Sequence, residues 1–475
     1  MGNKSGHFID GVWVNPADAD RLDVLNPSTE QVITAISLGG PDEVNAAVAA
    51  ARRAFEDWRA LPQSMRTGYV RKIKDIYARR AAEMAEVLSL EMGAPIDFAR
   101  SAQVAAGAWH IDGFLDAIET HEAETPLAPG SSEMIVQDPV GVCGLITPWN
   151  WPMNQITLKV IPALLVGCTV VLKPSEATPL SAMLFAEFLE EAGLPPGVFN
   201  LVNGDGPGVG SPLAAHPDVD MMSFTGSTRA GVAVGQACVQ TMKRSTLELG
   251  GKSPNLIFAD CDLEAAVSAG VRLCMENTGQ SCNAPTRMLV ESSVYERAVR
   301  IAAEVASAIQ VAPADPPGDH IGPLASAAQY ETVQRYIRIG LDEGAQLVAG
   351  GLGKPNGTEV GYFARPTVFA DVHNEMAIAQ EEIFGPVLVM IPFEDEEDAI
   401  AQANASPFGL AAYLSTTDAD RAYRVSRRLQ AGMISVNQAE FAQGSPFGGF
   451  KMSGIGREGG RFGLEDFVEI KTIAI

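Results

Sequence analysis

Cysteine and histidine are scarce in this chain, with six of each among 475 residues. The cysteines (Cys143, Cys168, Cys238, Cys261, Cys274 and Cys282) are too sparse for a disulfide scaffold, and none are paired as Cys-x-x-Cys. If a cysteine matters here, it acts alone. The histidines are scattered, without an HExxH pattern or a surrounding carboxylate cluster, so nothing supports a metal site. Basic residues are also in deficit: 34 Lys and Arg against 58 Asp and Glu leave a formal charge of −24, which repels a polyanion and argues against nucleic acid as a partner. The apolar run from Ile161 to Leu172 lies between Lys159 and Lys173 and falls short of the ~20 residues a membrane span needs. It reads as core. The N-terminal MGNKSGHF lacks the apolar stretch of a secretory signal and puts Gly6 where a myristoylation motif wants Ser or Thr. A cytoplasmic protein with no membrane partner is the expectation.

What the chain does have is material for large cores: 47% hydrophobic against 19% charged residues. At roughly 150 residues per domain its length suggests about three units. HFIDGVWV reads as a hairpin across Asp10-Gly11, and LNPSTEQVITAISL continues an extended N-terminal layer. From Pro41 the pattern turns helical, with Asp42 as the expected cap, and further helical stretches run from about Ser64 to Phe114. From Val140 onward strand-like runs (GVCGLIT, TVVLKP, VFNLV, MMSFTG, STLELGG) alternate with helical ones, including one from Ser227 to Met242. That rhythm predicts a parallel α/β sheet, which binds ligands at the carboxyl ends of its strands. A second α/β stretch begins near Ser253. The terminal DFVEIKTIAI would be an exposed strand unless it pairs.

Several short motifs carry chemistry, each with an ordinary alternative. GSTRAG, from Gly226 to Gly231, follows a strand and opens a helix, where backbone N–H groups can bind phosphate; a plain turn capped by Ser227 or Thr228 explains it equally well. Lys173 and Glu176 in LKPSE sit where a nucleotide ribose would lie, or in an ordinary charged loop. Cys282 in GQSCNAPTR lies in a polar turn that can expose a thiol, although most cysteines are inert and buried. Glu248 in LELGGKSP is one carboxylate among apolar residues, a setting that raises its pKa and suits a general base; backbone bonding is the alternative. Asn150 in TPWNWP can donate to an oxyanion or stitch a loop.

The joint order is informative where each motif alone is not. TPWNWP, LKPSE, FTGSTRAG, LELGGKSP, GQSCNA, EEIFGPV and PFGGFKMSGIGREGG follow one another over residues 147 to 460, and the set resembles the NAD(P)-dependent aldehyde dehydrogenase superfamily in its hydrolytic, non-acylating form. The resemblance covers essentially the whole chain. It implies an α/β fold with a Rossmann-type cofactor domain (1–120 and 140–250), a catalytic domain (251–465) and a small oligomerisation sheet (121–139 and 466–475). The implied oligomer is a homodimer or homotetramer.

Carried over residue by residue, the resemblance makes Cys282 the nucleophile that attacks an aldehyde, and Asn150 with the Cys282 N–H the oxyanion donors. Glu248 is the base that activates water against the thioester, and Glu458 stands in its proton path. NAD, or NADP, would contact Trp149, Lys173, Glu176, Gly226, Ser227, Gly231, Glu382 and Phe384. Trp151, Asn154, Gln155, Ser281, Asn283, Phe441 and Phe447 would surround the aldehyde's tail. Several of these are polar and none is basic, which points to a small or medium aldehyde, neutral or cationic, polar or aromatic, unless Arg287 supplies an anchor for an acidic tail. Two other readings compete. A CoA-acylating relative would not need Glu248, and a non-catalytic NAD-binding protein of the same fold would be free to lose Cys282 or Glu248.

Overall fold

The computed structural model describes residues 5–16 and 18–474. Two parallel-strand sheets dominate it. The first has eight strands in the order Val12–Val14, His7–Ile9, Phe199–Leu201, Thr169–Lys173, Val142–Ile146, Met221–Thr225, Arg244–Glu248 and Gly454–Ile455. The five from Phe199–Leu201 to Arg244–Glu248 are parallel, and the outer strands are antiparallel. Val142–Ile146, Thr169–Lys173 and Met221–Thr225 are buried at every position, as expected for strands covered on both faces by helices. The apolar run 161–172 is the end of the helix Pro152–Val166 followed by the strand Thr169–Lys173, all of it core.

Chain order reverses within this sheet. From Val142–Ile146 the strands proceed outward to Thr169–Lys173 and Phe199–Leu201, then return to the other side with Met221–Thr225. At such a switch point the two following loops diverge to opposite faces and leave a crevice. Those loops are Thr147–Trp151 and Gly226–Ser227. The second sheet, in the order Gln346–Ala349, Thr367–Ala370, Val387–Phe393, Arg287–Glu291, Pro254–Ile257, Ala411–Ser415 and Met433–Val436, is parallel except at its first strand. Each sheet has its own apolar core. Gly454–Ile455 returns the chain to the edge of the first sheet, and this brings the segment around Glu458 back to Glu248.

Local detail departs from the sequence reading in two places. The first long helix, Pro41–Arg59, is capped at Gly40, whose N–H donates to the Glu43 carboxylate at 2.8 Å; Asp42 sits in the first turn instead. The N-terminal extended residues also do not form one layer. His7–Ile9 and Val12–Val14 extend the first sheet, while Arg21–Leu25 and Val32–Ser37 form a separate hairpin. The helix after GST is Thr228–Val239, with the Ser227 hydroxyl accepting from the Ala230 N–H at 3.3 Å.

The terminal strand Val468–Ala474 pairs antiparallel with Glu133–Pro139 of its own chain over seven residues. Glu124–Pro126 completes that small sheet on the far side. Val468–Ala474 is therefore an edge strand, with Ile470 72% exposed; Ile475 lies outside the described residues. No helix among the described residues is long and apolar enough to cross a membrane.

Candidate active site

Cys282 stands at the end of a turn with an unusual backbone. After the helix Leu263–Met275, Asn277 and Thr278 both adopt left-handed conformations (φ 51° and 57°), followed by Gly279 at φ 70°. Non-glycine residues persist there only when the surroundings hold them. The Asn277 amide donates to the Asn150 and Gln280 carbonyls at 3.0 and 3.2 Å, and the Thr278 hydroxyl donates to the Gly322 carbonyl at 3.0 Å. Gln280 closes the turn by donating to the Asn277 carbonyl and accepting from the Ala325 N–H. Gly279 is required by contact as well as by φ, since a Cβ would fall 2.1 Å from the Gly385 carbonyl oxygen.

Asn150 is bound into this turn. Its Nδ2 donates to the Gln280 carbonyl at 2.9 Å, and its own carbonyl accepts from Gln103 and Asn277. One amide hydrogen thus stitches the loop, while the residue still lines a cavity with Cys282. Cys282 is half-buried; burial, reinforced by the charges of Glu382 and Glu248, holds its thiol well above the usual range.

Glu248 ends the strand Arg244–Glu248 and is 2% exposed. Neither carboxylate oxygen has a hydrogen-bond partner among the described residues. Burial pushes its pKa well up and the charge of Glu458 adds to this, while Lys159 and Arg457 oppose it. It is not isolated, as its sequence context suggested. Glu458 is also buried and forms an ion pair with Lys159, a fully buried lysine on the helix Pro152–Val166. Gly448 leaves room for Glu248: a Cβ there would lie 2.7 Å from Glu248 Oε1.

Two cavities meet at Cys282. The first, about 260 Å³, is lined by Trp149, Asn150, Thr225, Gly226, Ser227, Glu248, Gly250, Glu382 and Phe384. It opens at the N-terminus of the helix Thr228–Val239, where the first N–H groups have no partner within the helix. The Thr225 hydroxyl is buried there without a partner among the described residues. Trp149 and Phe384 meet edge to face at 5.4 Å, and Phe384 is held at φ 58°. Glu382 accepts from the Gly251 N–H at 3.0 Å, and burial pushes its carboxyl up to about 7. A Cβ on Gly250 would strike Glu382 Oε2 at 2.0 Å. Three of the expected cofactor residues do not line this cavity. Lys173 and Glu176 pair with each other at 3.1 Å at the end of the strand Thr169–Lys173, and Gly231 packs its helix against Leu249.

The second cavity, about 500 Å³, is lined by Trp151, Asn154, Gln155, Ser281, Asn283, Phe441 and Phe447, all expected from the sequence. Its polar groups are less free than their types suggested. Asn154 Oδ1 lies 2.7 Å from His110 Nε2, and Trp151 Nε1 donates to the Ser281 hydroxyl at 2.8 Å. Among the described residues, only Gln155 Oε1 is buried there without a partner. Arg287 cannot anchor a tail, because it is fully buried and spends its guanidinium on the Lys252, Gln402 and Ala403 carbonyls and on Asn374. Trp109, His110, Tyr413 and Glu276 also line this cavity and were missed, as was Lys159 behind Glu458. A lysine inside an otherwise apolar helical run was the available signal for the last of these. No group of His, Cys, Asp and Glu among the described residues could hold a metal ion.

Two doubly covered sheets with a cysteine and a carboxylate facing a crevice at the switch point define a class, and the comparisons name it. The model of the aldehyde dehydrogenase family matches residues 13–473. A 3-succinoylsemialdehyde-pyridine dehydrogenase of a Pseudomonas species is 50% identical over 98% of this chain and 97% of its own. An aldehyde dehydrogenase structure from Bartonella henselae superposes with a TM-score of 0.98 at 51% identity, covering both chains fully. A mutant of aldehyde dehydrogenase C from Pseudomonas syringae, complexed with NAD+ and octanal, has a TM-score of 0.98 at 45% identity, over 100% of this chain and 97% of its own. The chain belongs to the aldehyde dehydrogenase family, with its α/β fold, and is an oxidoreductase of that class.

The Lys159–Glu458 pair yields a direct stability test. Removing one member of a buried pair leaves an uncompensated charge and costs ~3–5 kcal/mol. Lys159→Met should lower the melting temperature markedly, and Lys159→Met with Glu458→Gln should recover most of the loss. A single variant as stable as the parent would show that the pair contributes little.

Proposed function

We propose that this enzyme oxidises an aldehyde to its carboxylic acid with NAD, through a covalent intermediate on Cys282 hydrolysed by water that Glu248 activates. The observation that carries this reading is a buried carboxylate with two unpartnered oxygens lining the same cavity as the cysteine. The thiol's raised pKa means that a base must take its proton as it attacks, and Glu248, whose own affinity for protons is raised by burial, suits that task. The alkoxide oxygen of the thiohemiacetal would face the second amide hydrogen of Asn150 and the Cys282 N–H, donors of a kind worth ~3 kcal/mol each. Glu248 would pass the thiol proton toward Glu458, which Lys159 holds, and, ionised again, deprotonate water against the thioester and release that proton by the same path. The presence of Glu248 disfavours the CoA-acylating alternative, and the intact pair of Cys282 and Glu248 disfavours a non-catalytic role.

The first cavity is read as the nicotinamide and pyrophosphate part of an NAD site, a choice supported by the helix N-terminus, the unpartnered Thr225 hydroxyl and the space kept by Gly250. When bound, the nicotinamide supplies the acceptor for the aldehyde's hydride. Trp149 and Phe384 would flank the ring, Glu382 would take a ribose, and the helix N-terminus at Gly226 and Ser227 would face the pyrophosphate. Lys173 and Glu176 would reach the adenosine ribose from the end of their strand, with Gly231 serving helix packing. The second cavity would take the tail. Since two of its polar positions are internally paired, its walls offer mainly aromatic surface to a medium-sized aldehyde. One relative is a 3-succinoylsemialdehyde-pyridine dehydrogenase and a similar structure holds octanal, so chains like this one take both aromatic and aliphatic tails. The three-part division of the chain and a dimer or tetramer belong to the same proposal, with the outer edge of Val468–Ala474 as the joining surface.

Three outcomes follow. Cys282→Ala should abolish NADH formation at 340 nm while NAD still binds by calorimetry; Glu248→Gln should slow steady-state turnover by ~10²-fold or more, and its single-turnover burst should survive only at pH high enough for the thiol to ionise unaided. In the parent, thioester hydrolysis should rise with pH through a group titrating above the ordinary carboxylate range, and the Gln variant should lose that limb. Appreciable turnover by the Ala variant would refute the assignment. Second, NAD should exceed NADP in kcat/KM, because Glu176 accepts from a free 2′-hydroxyl and repels a phosphate; equal values would remove Glu176 from that role. Third, deleting the last eight residues should give monomer or aggregate by light scattering, and a soluble, fully active monomer would contradict the joining surface.

A further inference from the structure

We propose that Gln155 selects aldehydes that carry an oxygen, keto or hydroxyl, on one of the first carbons of the tail, by hydrogen-bonding that oxygen at the junction of the two cavities. The inference rests on the aldehyde reading above and deepens it.

Among the described residues, only Cys282 and Gln155 line both cavities. A carbon bound to the Cys282 sulphur therefore sends its tail past Gln155 on the way into the second cavity. The helix Pro152–Val166 sets that position. In its first turn the Gln155 N–H donates to the Trp151 carbonyl at 3.0 Å, and Lys159, one turn further along the same face, reaches Glu458. Asn154, the preceding residue, is directed elsewhere and meets His110.

Gln155 is 3% exposed, so bulk water does not serve its amide. Its Oε1 is shielded without a partner, and its Nε2 makes no hydrogen bond among the described residues. The other polar side chains on the wall of the second cavity are either paired or open to water. His110 and Asn154 bond each other, Trp151 donates to Ser281, and the Tyr413 hydroxyl donates to the Asn283 carbonyl at 3.0 Å. Ser101, Trp109, Glu276, Asn283 and Ser445 are half-buried or exposed. A buried amide without partners destabilises a fold, and methionine would fill the same space on a helix whose neighbouring Met153, Ile156 and Leu158 are already apolar. The amide suits a ligand that completes its hydrogen bonds. Both of its ends are unspent, so rotation about its last bond presents either one: Nε2 donates to a keto oxygen, and Oε1 accepts from a hydroxyl. A hydrocarbon tail at the same point leaves the amide unpaired and is rejected on that ground.

The test uses two pairs of probes in which a methyl group replaces the oxygen, on the full chain with saturating NAD: 3-hydroxybutanal against 3-methylbutanal, and 4-oxopentanal against 4-methylpentanal. In the parent the oxygenated member of at least one pair should lead by about tenfold in kcat/KM, the size of one hydrogen bond gained by a buried amide. Gln155→Met, similar in shape, should bring that ratio to about one or below, mainly through KM, and should raise the melting temperature because an unpaired amide has left the interior. A purely structural amide would behave in the opposite way, with the substitution lowering the melting temperature and slowing all four aldehydes alike. Gln155→Leu carries the comparison if the Met variant does not fold. A parent ratio near one in both pairs, or a preference that survives both substitutions, would overturn the role of Gln155 while leaving aldehyde oxidation intact. Failure of the parent to oxidise any of the four aldehydes would overturn the aldehyde reading itself, and this inference with it.

Discussion

The site depends on a clamp between two loops that belong to different sheets. Asn150 follows a strand of the first sheet, and Gln280 closes the turn that leads into a strand of the second; the Asn150 amide and carbonyl bind that turn at both ends. The left-handed residues Asn277 and Thr278 are strained by themselves, so the turn keeps its shape only while these bonds and the Gly279–Gly385 contact are made. The position of Cys282 is thus set by the docking of one sheet on the other. Gly251 reinforces the seam, since a Cβ there would fall 2.5 Å from the Cys282 carbonyl oxygen. The two cavities meet at this seam because that is where the chain has left space.

Electrostatics behind the seam follow the same economy of groups. Three charged side chains, Glu248, Glu458 and Lys159, share a region that excludes water almost completely. Lys159 and Glu458 neutralise each other, and Glu248 is left without a partner among the described residues. An unpartnered buried carboxylate binds a proton more tightly than one in water, which weakens the site as structure but equips it for proton transfer. Three segments far apart in sequence bring these groups together: the helix Pro152–Val166, the strand Arg244–Glu248 and the return of the chain at Gly454–Ile455.

Much of this was legible in the sequence, for physical reasons that differ by residue. Continuous apolar runs such as GVCGLI and TVVLK mark strands covered on both faces, and they fold as such. Ser227 was readable as a cap because its hydroxyl works on its own helix, three residues away. The cap at Gly40 was not, because Glu43 reaches backward to serve it. The raised proton affinity of Glu248 followed from its apolar neighbours, whereas the contribution of Glu458 required contact across 210 residues. His110, Trp109 and Glu276 carry no local motif, and they reach the second cavity only through the packing of helices that any amphipathic sequence would supply. Arg287 was open as an anchor until its burial beside four acceptors became visible.

The account turns on covalent chemistry at Cys282 that stalls when Glu248 cannot activate water. Intact-protein and peptide mass spectrometry of the Glu248→Gln variant, quenched after mixing with aldehyde and NAD, tests it most directly. The account predicts that the peptide containing Cys282 gains the mass of the acyl group and that the other five cysteines do not. An unmodified Cys282 peptide under conditions where NADH has formed, or an adduct on another residue, would contradict it.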